Sequence, residues 1–259
     1  MKEQIITSKN NHFIKELSKL TNKKYRYKLG LVILEGKKII NECLIRNKDI
    51  KFLIVLDAFK DKYQDIINKL NQSNCKIYIV PKQIFEQLSN TVNSQGIIAV
   101  TEFIEKKFEL PKTNFLILDN ISDPGNLGTI IRTAMACGFE YIYTYNCVDE
   151  YNDKVLRSTM GTIFDCNIIK VAFENIKQLS EQFPLLVAEM NSLNIFNCEI
   201  KNEITGIVIG NEGNGVSKEV FDLNSLKVSL PMLNNVESLN ASVACAVLMY
   251  AVNNKQNKF

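Results

Sequence analysis

The chain has 259 residues, 46% hydrophobic and 23% charged, which is the composition of an ordinary globular protein. It has no run near the roughly 20 apolar residues that span a bilayer, and its first residues lack the apolar core of a signal peptide, so we expect a cytoplasmic protein with no membrane partner. One histidine, His12, and seven cysteines without a C-x-x-C pair nearly exclude His-based metal sites, Ser-His triads and a disulfide framework. We therefore expect no metal, and cysteines that mostly fill the core.

The positive charge is concentrated at the N-terminus. Residues 1–50 contain 12 Lys and Arg against 5 Asp and Glu, although the whole chain has a net charge of only +3. A basic segment on a near-neutral body indicates a polyanionic partner, most simply a nucleic acid. A solvated basic surface without a partner explains the charge equally well.

The first hundred residues alternate between helix and strand patterns. The spacing of Phe13, Ile14, Leu17 and Leu20 predicts a helix. The rest of this part predicts strands at residues 31–36, 51–56, 76–81 and 96–103, with helices at 37–46, 63–72 and 82–90. Together they predict a compact α/β domain over residues 1–103.

Residues 104–113 are charged, contain a proline and show no periodicity, so we predict a linker. Residues 114–259 then repeat the alternation with more apolar strands. The strands are predicted at 115–120, 141–145, 164–172, 185–190, 206–212 and 226–232, and the helices at 125–138, 153–159, 173–183, 217–223 and 238–252. We expect Asn152 or Asp153 to begin the second helix and Ser217 to cap the fourth. Strands separated by helices predict a mostly parallel sheet covered on both faces.

Three unusual loops follow strands of this second part, where ligands bind in open α/β sheets. The first is "DNISDPGNLGTIIR", in which Gly125 and Gly128 permit tight turns and Arg132 follows one helical turn later. An arginine near a helix N-terminus is suited to grip a phosphate. An ordinary turn with Arg132 on the surface is the alternative.

The second loop, "GIVIGNEGNGVS", has Gly210, Gly213 and Gly215 around Asn211 and Glu212. It matches neither G-x-G-x-x-G nor a Walker loop. Because a plain turn rarely needs three glycines, we favour a ligand-binding loop. The third loop, "LPMLNNVESLNASVACAVLMY", places Ser238 and Asn240 ahead of an apolar helix. They are suited to be N-cap residues, and they could also line the same pocket as the other two loops.

Together the three loops resemble the signature motifs of the SpoU/TrmH branch of the SPOUT superfamily, the RNA ribose 2′-O-methyltransferases. The matching segments are "DPGNLGTIIRTA", "IGNEGNGVS" and "LPMLNNVESLNASVACAVLMY", and "KVLRSTMGTIFD" is similar to the family's segment between the first two motifs. The resemblance covers residues 114–253. Residues 4–103 resemble, more loosely, the small RNA-binding domain similar to ribosomal protein L30e that precedes many such enzymes.

The resemblance implies an α/β methyltransferase domain with a deep trefoil knot, a homodimer formed through the C-terminal domain, and S-adenosylmethionine as cofactor. By motif position it implies that the functional residues are Asn126, Arg132, Glu212, Ser238 and Asn240. It implies cofactor contacts at Gly210, Asn211, Glu212, Gly213, Leu230, Ser238, Leu239 and Asn240. The residues expected to contact RNA are Arg132, Arg157 and Ser158, with Lys23, Lys24, Arg26 and Lys37 of the basic N-terminal segment.

The implied reaction is the attack of a ribose 2′-oxygen on the cofactor's methyl group, without a metal. Arg132 is the family's proposed base, but a guanidinium is not normally deprotonated in proteins. Alternatively, Arg132 holds the phosphate and ribose while a phosphate oxygen or water takes the proton. We favour 23S ribosomal RNA over transfer RNA as substrate. A non-catalytic RNA-binding relic, a base methyltransferase, a small-molecule Rossmann enzyme and a self-protective antibiotic-resistance methyltransferase are the other readings.

Overall fold

The structure is a computed structural model that describes residues 3–258, and these residues divide into two units. The first unit comprises residues up to Ile104 together with Tyr151–Phe164. The second comprises Glu105–Glu150 and Asp165–Phe259.

Eleven strands and ten α-helices make up the described residues. In chain order they are β1 (Gln4–Ile5), α1 (His12–Ser18), α2 (Lys23–Leu29), β2 (Leu31–Glu35), α3 (Lys37–Ile45), β3 (Ile50–Leu56), α4 (Gln64–Leu70), β4 (Lys76–Val80), α5 (Lys82–Phe85), β5 (Ile97–Glu102), β6 (Phe115–Asp119), α6 (Pro124–Ala136), β7 (Tyr141–Tyr145), α7 (Asp153–Thr159), β8 (Asn167–Lys170), α8 (Phe173–Gln182), β9 (Leu185–Asn194), β10 (Gly206–Ile209), α9 (Lys218–Phe221), β11 (Leu226–Ser229) and α10 (Ala241–Lys255).

The first unit contains a five-stranded sheet in the order β1-β4-β3-β5-β2. Strand β5 runs antiparallel to both β2 and β3, and the other pairs are parallel. The predicted strands are all present. The sequence patterns missed α2 and the short strand β1, because neither shows the apolar periodicity on which such predictions depend.

The predicted helix over residues 82–90 is wrong in its length, because α5 ends at Phe85. The carboxylate of Glu35 accepts hydrogen bonds from the hydroxyls of Ser89 (2.6 Å), Thr91 (2.6 Å) and Ser94 (2.7 Å). Hydroxyl side chains that find such partners favour turns over helix continuation. The residues after α5 therefore form a loop tied to the end of β2.

Helix α7 lies in the first unit, although it comes between β7 and β8 in the chain. Of the two residues expected to begin it, Asn152 is the N-cap, because its side chain accepts a hydrogen bond from the backbone of Lys154 (2.9 Å). Just ahead of it, the ring of Tyr151 lies 4.1 Å from that of Phe103 and 6.4 Å from that of Tyr27, measured between centroids. This unit is therefore not a single continuous stretch of chain.

The second unit contains six parallel strands in the order β11-β9-β10-β6-β7-β8. The predicted parallel α/β architecture is confirmed. All five residues of β6 are buried, as expected for a strand covered on both faces. The knot that the family resemblance implies stays a prediction.

Residues 105–113 contain neither helix nor strand, and they belong to the second unit. The ring of Phe108 packs against that of Tyr143 at 5.9 Å, and the ammonium of Lys106 donates to the carbonyl of Cys166 (3.1 Å). The predicted linker thus packs along the second unit over part of its length.

The seven cysteines are unpaired, and six of them are buried, which confirms their expected role as core residues. Within residues 3–258 no helix combines the length and apolar character that crossing a membrane requires.

The first residue of β10, Gly206, lies between Phe115 of β6 and Leu185 of β9. A Cβ atom there would come within 2.5 Å of the Phe115 ring and 2.6 Å of the Leu185 side chain. We expect Gly206→Ala to lower the free energy of unfolding by about 1–3 kcal/mol in chemical denaturation, through overpacking. Gly213→Ala is the matched control, since its Cβ would meet nothing nearer than 3.6 Å. Equal stability of both variants would contradict this view of the sheet.

Candidate functional site: three loops at the carboxyl edge of the second sheet

Strands β6 and β10 pair in parallel, with Leu118 opposite Ile209. Their carboxyl ends therefore lie side by side, although about 90 residues separate them in the sequence. The loop after β6 leads into α6, and the loop after β10 leads into α9. This pairing brings the first two predicted loops together at one edge of the sheet, where α/β proteins bind ligands.

The first loop begins with a sharp turn and ends in a capped helix. Asn120 adopts a positive φ of 58°, which asparagine tolerates better than most residues. Asp123 is the N-cap of α6, and its carboxylate accepts the backbone N–H of Asn126 at 2.8 Å. Pro124 occupies the first turn, where its missing N–H costs nothing. These features fix where α6 begins and how Asn126 is presented.

The second loop closes on itself. Asn211 and Gly215 exchange two backbone hydrogen bonds of 2.8 and 3.0 Å, and the Asn211 side chain accepts from the backbone of Gly213 (3.0 Å) and Asn214 (3.1 Å). A Cβ atom on Gly210 would overlap the backbone of Gly215, so only glycine fits there. The result is a tight backbone hairpin that presents Glu212 at its tip.

A chain of side-chain hydrogen bonds joins all three loops. The amide nitrogen of Asn126 donates to the Glu212 carboxylate at 2.7 Å. The amide oxygen of Asn126 accepts from the amide nitrogen of Asn240 at 3.0 Å. Three of the five residues proposed as functional are thus connected, one from each loop.

Glu212 is held ionised by this arrangement. Partial burial works to raise its pKa, but hydrogen bonds from Asn126 and from nearby backbone amides outweigh burial and lower the pKa below its ordinary value. The hydroxyl of Ser122 (3.3 Å) and the amide of Asn211 (3.4 Å) also donate to this carboxylate. Glu212 is therefore a hydrogen-bond acceptor at neutral pH rather than an acid.

Asn240 has a second role as the N-cap of α10. Its side-chain oxygen accepts from the backbone of Ser242 (2.9 Å) and from the Ser242 hydroxyl (2.6 Å). The predicted capping function and the predicted placement beside the other loops are therefore combined in one side chain, with the amide oxygen used for one and the nitrogen for the other.

The other proposed residues are placed less tightly. Arg132 lies on the exposed face of α6, and its guanidinium forms no hydrogen bond or ion pair with any residue in the described range. Ser238 and Leu239 are exposed in the third loop, and Leu230 is half-buried at its start. No hydrogen bond within residues 3–258 draws the Ser238 hydroxyl to the linked group.

The candidate RNA-binding residues of the first unit differ in exposure. Lys23 and Lys24 are exposed on α2, whereas the guanidinium of Arg26 is buried and donates to the carbonyls of Leu20 and Thr21, both at 2.8 Å. The Lys37 ammonium lies 3.8 Å from a carboxylate oxygen of Asp65.

The two candidates on α7 are both engaged within that helix. Arg157 is paired with Asp153 at 2.8 Å. The Ser158 hydroxyl donates to the carbonyl of Lys154 at 2.9 Å.

Two residues at this edge escaped the sequence analysis. Asp119 ends β6 and is fully buried, and Ser122 contacts Glu212. A charged residue that ends an otherwise apolar strand is the signal that could have identified Asp119. Cys147, whose thiol contacts the Leu118 carbonyl at 3.1 Å, is not a nucleophile there, because burial raises its pKa to about 12.

The second and third loops suit a cationic, partly apolar cofactor. Residues 206–217 and 230–241 contain two glutamates and no Lys, Arg or His, which disfavours the phosphates of a nucleotide cofactor. Exposed apolar side chains lie along the third loop, at Leu233, Val236 and Leu239. Among residues 3–258 no cluster of His, Cys, Asp and Glu could hold a metal ion.

Comparison with known families agrees with this site. The model of the SpoU rRNA methylase family matches residues 113–250, which is more than half of the chain and includes all three loops.

The chain belongs to the SpoU rRNA methylase family.

Members of this family are RNA methyltransferases that use S-adenosylmethionine. Residues 11–99 match the MRM3-like substrate-binding domain, which agrees with the expected RNA-binding domain. A Synechocystis protein named as an uncharacterized tRNA/rRNA methyltransferase is 31% identical over 97% of this chain and 94% of its own. The 23S rRNA (guanosine(2553)-2′-O)-methyltransferase RlmP of Bacillus subtilis is 28% identical over 95% of this chain and 97% of its own.

The fold of the SpoU chain matches solved structures as well. The AdoMet-bound rRNA methyltransferase of Sinorhizobium meliloti superposes with a TM-score of 0.84, covers 97% of this chain and 98% of its own, and is 22% identical.

The double role of Asn240 can be separated by substitution. Asn240→Ala removes both the cap of α10 and the link to Asn126, and we expect it to lower the free energy of unfolding by about 1 kcal/mol. Asn240→Ser keeps a capping oxygen but is too short to reach Asn126, so its stability should remain near that of the wild type. Chemical denaturation measures both. A serine variant as unstable as the alanine variant would show that the link to Asn126, not the cap, stabilises this region.

Proposed function

We propose that this SpoU enzyme methylates a ribose 2′-hydroxyl in 23S ribosomal RNA, and that it does so in the cytoplasm. The observation that carries the proposal is the Glu212–Asn126–Asn240 chain of hydrogen bonds, which connects the three loops beside the expected cofactor position. The name of the Bacillus subtilis relative, which covers nearly the same length, supports both the ribose position and the large-subunit RNA. The seven unpaired cysteines suit a reducing compartment.

The cofactor supplies an electrophilic methyl group on a sulfonium when it is bound. We assign its binding to the backbone of Gly210, Asn211 and Gly213, with that of Leu230 and Leu239. Glu212, fixed as an acceptor by Asn126, keeps the first and second loops together. These side chains bind and orient, which is the main requirement for a displacement between two held groups.

Arg132 is assigned to the RNA. A guanidinium is a donor of five hydrogen bonds and matches the geometry of a phosphate. Arg132 is exposed and makes no ion pair with a described residue, so its donors are available to a ligand. We assign it the orientation of the phosphate and ribose, with proton removal left to a phosphate oxygen or water, because a guanidinium is a poor base. Ser238, exposed in the third loop, is assigned to the substrate side of the same pocket.

A second copy of the chain is proposed to cover the outer face of α10. Val243 and Tyr250 of this helix are about half exposed, and so is the neighbouring Phe196. Phe196 and Tyr250 border an open groove of about 520 Å³, lined also by Ala246, Val247, Ala251, Asn254 and Lys255. Apolar surface of this kind usually marks an interface. This surface and the family resemblance support the proposal of a homodimer formed through the C-terminal unit.

The exposed Lys23 and Lys24 and the half-buried Lys37 are proposed to bind RNA phosphates, which provide much of the affinity of RNA-binding proteins. Arg157 and Ser158 belong to the same proposal as secondary contacts. The buried Arg26 is left out of it, because its guanidinium is turned toward the carbonyls of Leu20 and Thr21.

The reaction is tested with tritium-labelled S-adenosylmethionine and separate pools of unmodified ribosomal and transfer RNA. We expect label in a 2′-O-methylnucleoside of 23S RNA after digestion. Label only in transfer RNA would replace the proposed substrate. Label in a methylated base would refute the ribose assignment. No label, with no cofactor binding, would identify a relic that only binds RNA.

Arg132→Ala is expected to reduce turnover at saturating cofactor by at least a hundredfold, while the Kd of S-adenosylmethionine stays within about twofold of the wild type. Arg132→Lys keeps the charge but not the bidentate geometry and should recover only a small part of the rate. Lys69→Ala, a change of an exposed basic residue on α4, is the control. Normal turnover in Arg132→Ala would exclude the assignment.

A further inference from the structure

The residue that ends β6, Asp119, is unusual in its burial. It is the one charged side chain among residues 3–258 with no exposed surface, and no Lys or Arg of that range forms an ion pair with it. Burying a carboxylate without a cation is costly unless hydrogen bonds compensate. Its hydrogen-bond partners therefore indicate what it does.

Both partners lie at the edge of the sheet where the three loops meet. One carboxylate oxygen accepts the backbone N–H of Ser217 at 2.6 Å. The other accepts the side-chain amide of Asn120 at 2.5 Å. Ser217 is 98 residues away in sequence and closes the second loop, so the first bond ties the end of that loop to the end of β6.

The Ser217 side chain does not replace this contact. Ser217 occupies the N-cap position of α9, as predicted, but its hydroxyl forms no capping bond, and the buried oxygen has no hydrogen-bond partner within the described residues. The N–H is thus the group by which Ser217 is held. The beginning of the loop is fixed independently by the pairing of β10 with β6. Asp119 therefore holds the C-terminal end of the loop, at Ser217, which the strand pairing does not fix.

We propose that Asp119 is a positioning residue for the cofactor: it holds the backbone of residues 210–217 in the conformation that binds S-adenosylmethionine. The inference rests on the proposed placement of the cofactor against Gly210, Asn211 and Gly213. Binding through backbone groups needs their geometry before the ligand arrives, and any fraction of molecules with the loop displaced lowers the apparent affinity.

The first test removes one hydrogen-bond donor, the backbone N–H of Ser217. Ser217 has a φ of −60°, which is the angle that a proline ring imposes. Ser217→Pro therefore deletes the N–H that Asp119 accepts and puts a ring methylene in its place, so the Asp119 carboxylate must also move away. Ser217→Ala retains the N–H and serves as the matched control. In calorimetric titration of the full chain, we expect Ser217→Pro to raise the Kd of S-adenosylmethionine about tenfold and Ser217→Ala to raise it less than twofold.

The neutral product S-adenosylhomocysteine is titrated in parallel. Its Kd should rise by the same factor, because the variant changes the geometry of the loop and not the charge that the loop presents to the ligand. Turnover at saturating cofactor and the KM for RNA should stay near the wild type, while the KM for the cofactor rises. A purely structural defect does not produce that separation.

A double variant tests the partnership directly. Asp119→Ala and Ser217→Pro both remove the hydrogen bond between Asp119 and Ser217. The double variant should therefore bind the cofactor no more weakly than Asp119→Ala alone. Where proline prevents folding, Asp119→Asn replaces it. It leaves one acceptor for two donors, and we expect a loss of about threefold for both ligands.

Two results would overturn the inference: unchanged affinity in folded Ser217→Pro or Asp119→Asn, or a loss for S-adenosylmethionine that spares S-adenosylhomocysteine. Hydrogen exchange of the wild-type protein distinguishes a failure of the Asp119 inference from a failure of the proposed function. If the cofactor slows exchange within residues 210–217, the cofactor placement holds and the variants judge Asp119 alone. If it does not, the proposed site itself is wrong.

Discussion

The parallel pairing of β6 with β10 is the constraint on which the site depends. The two strands are joined in register over four residues, from Phe115 opposite Gly206 to Leu118 opposite Ile209. That pairing favours a glycine at residue 206, because a Cβ atom there would overlap the side chains of Phe115 and Leu185 unless they shifted. Once it forms, the loops after both strands share one edge, and bonds such as Asn126 to Glu212 span distances that a side chain can cover.

Much of the second unit could be predicted from sequence, because its strands are continuous apolar runs and its helices are long enough to show a period. The N-caps Asn152 and Asn240 were each among two candidates named from the sequence, since asparagine is favoured at this position, whereas Ser217 forms no capping bond. The short helix α5 was predicted too long. The hydroxyls of Ser89, Thr91 and Ser94 find a carboxylate on a strand more than 50 residues earlier, and a local pattern contains no such information.

For the site residues too, local sequence motifs gave the positions but not the contacts with distant parts of the chain. The motifs located Asn126, Glu212 and Asn240, but they could not show that these side chains form one hydrogen-bonded chain. Asp119 was missed because its significance depends on burial and on a backbone N–H far along the sequence. Arg26 was counted as a surface cation because nothing in a run of basic residues tells which one turns inward. Side chains that act through distant backbone groups are the part that sequence reasoning cannot reach.

The position of α7 has a consequence for synthesis of the chain on the ribosome. The first unit includes Tyr151–Phe164, with Tyr151 packed on Phe103 and Tyr27. Its last piece therefore emerges only after β6, α6 and β7 of the other unit have been made. N-terminal domains commonly fold first as they leave the ribosome. Here the rings of Phe103 and Tyr27, which Tyr151 contacts, lack that contact while residues 105–150 are translated. The nascent chain thus begins its second folding unit before it can finish its first.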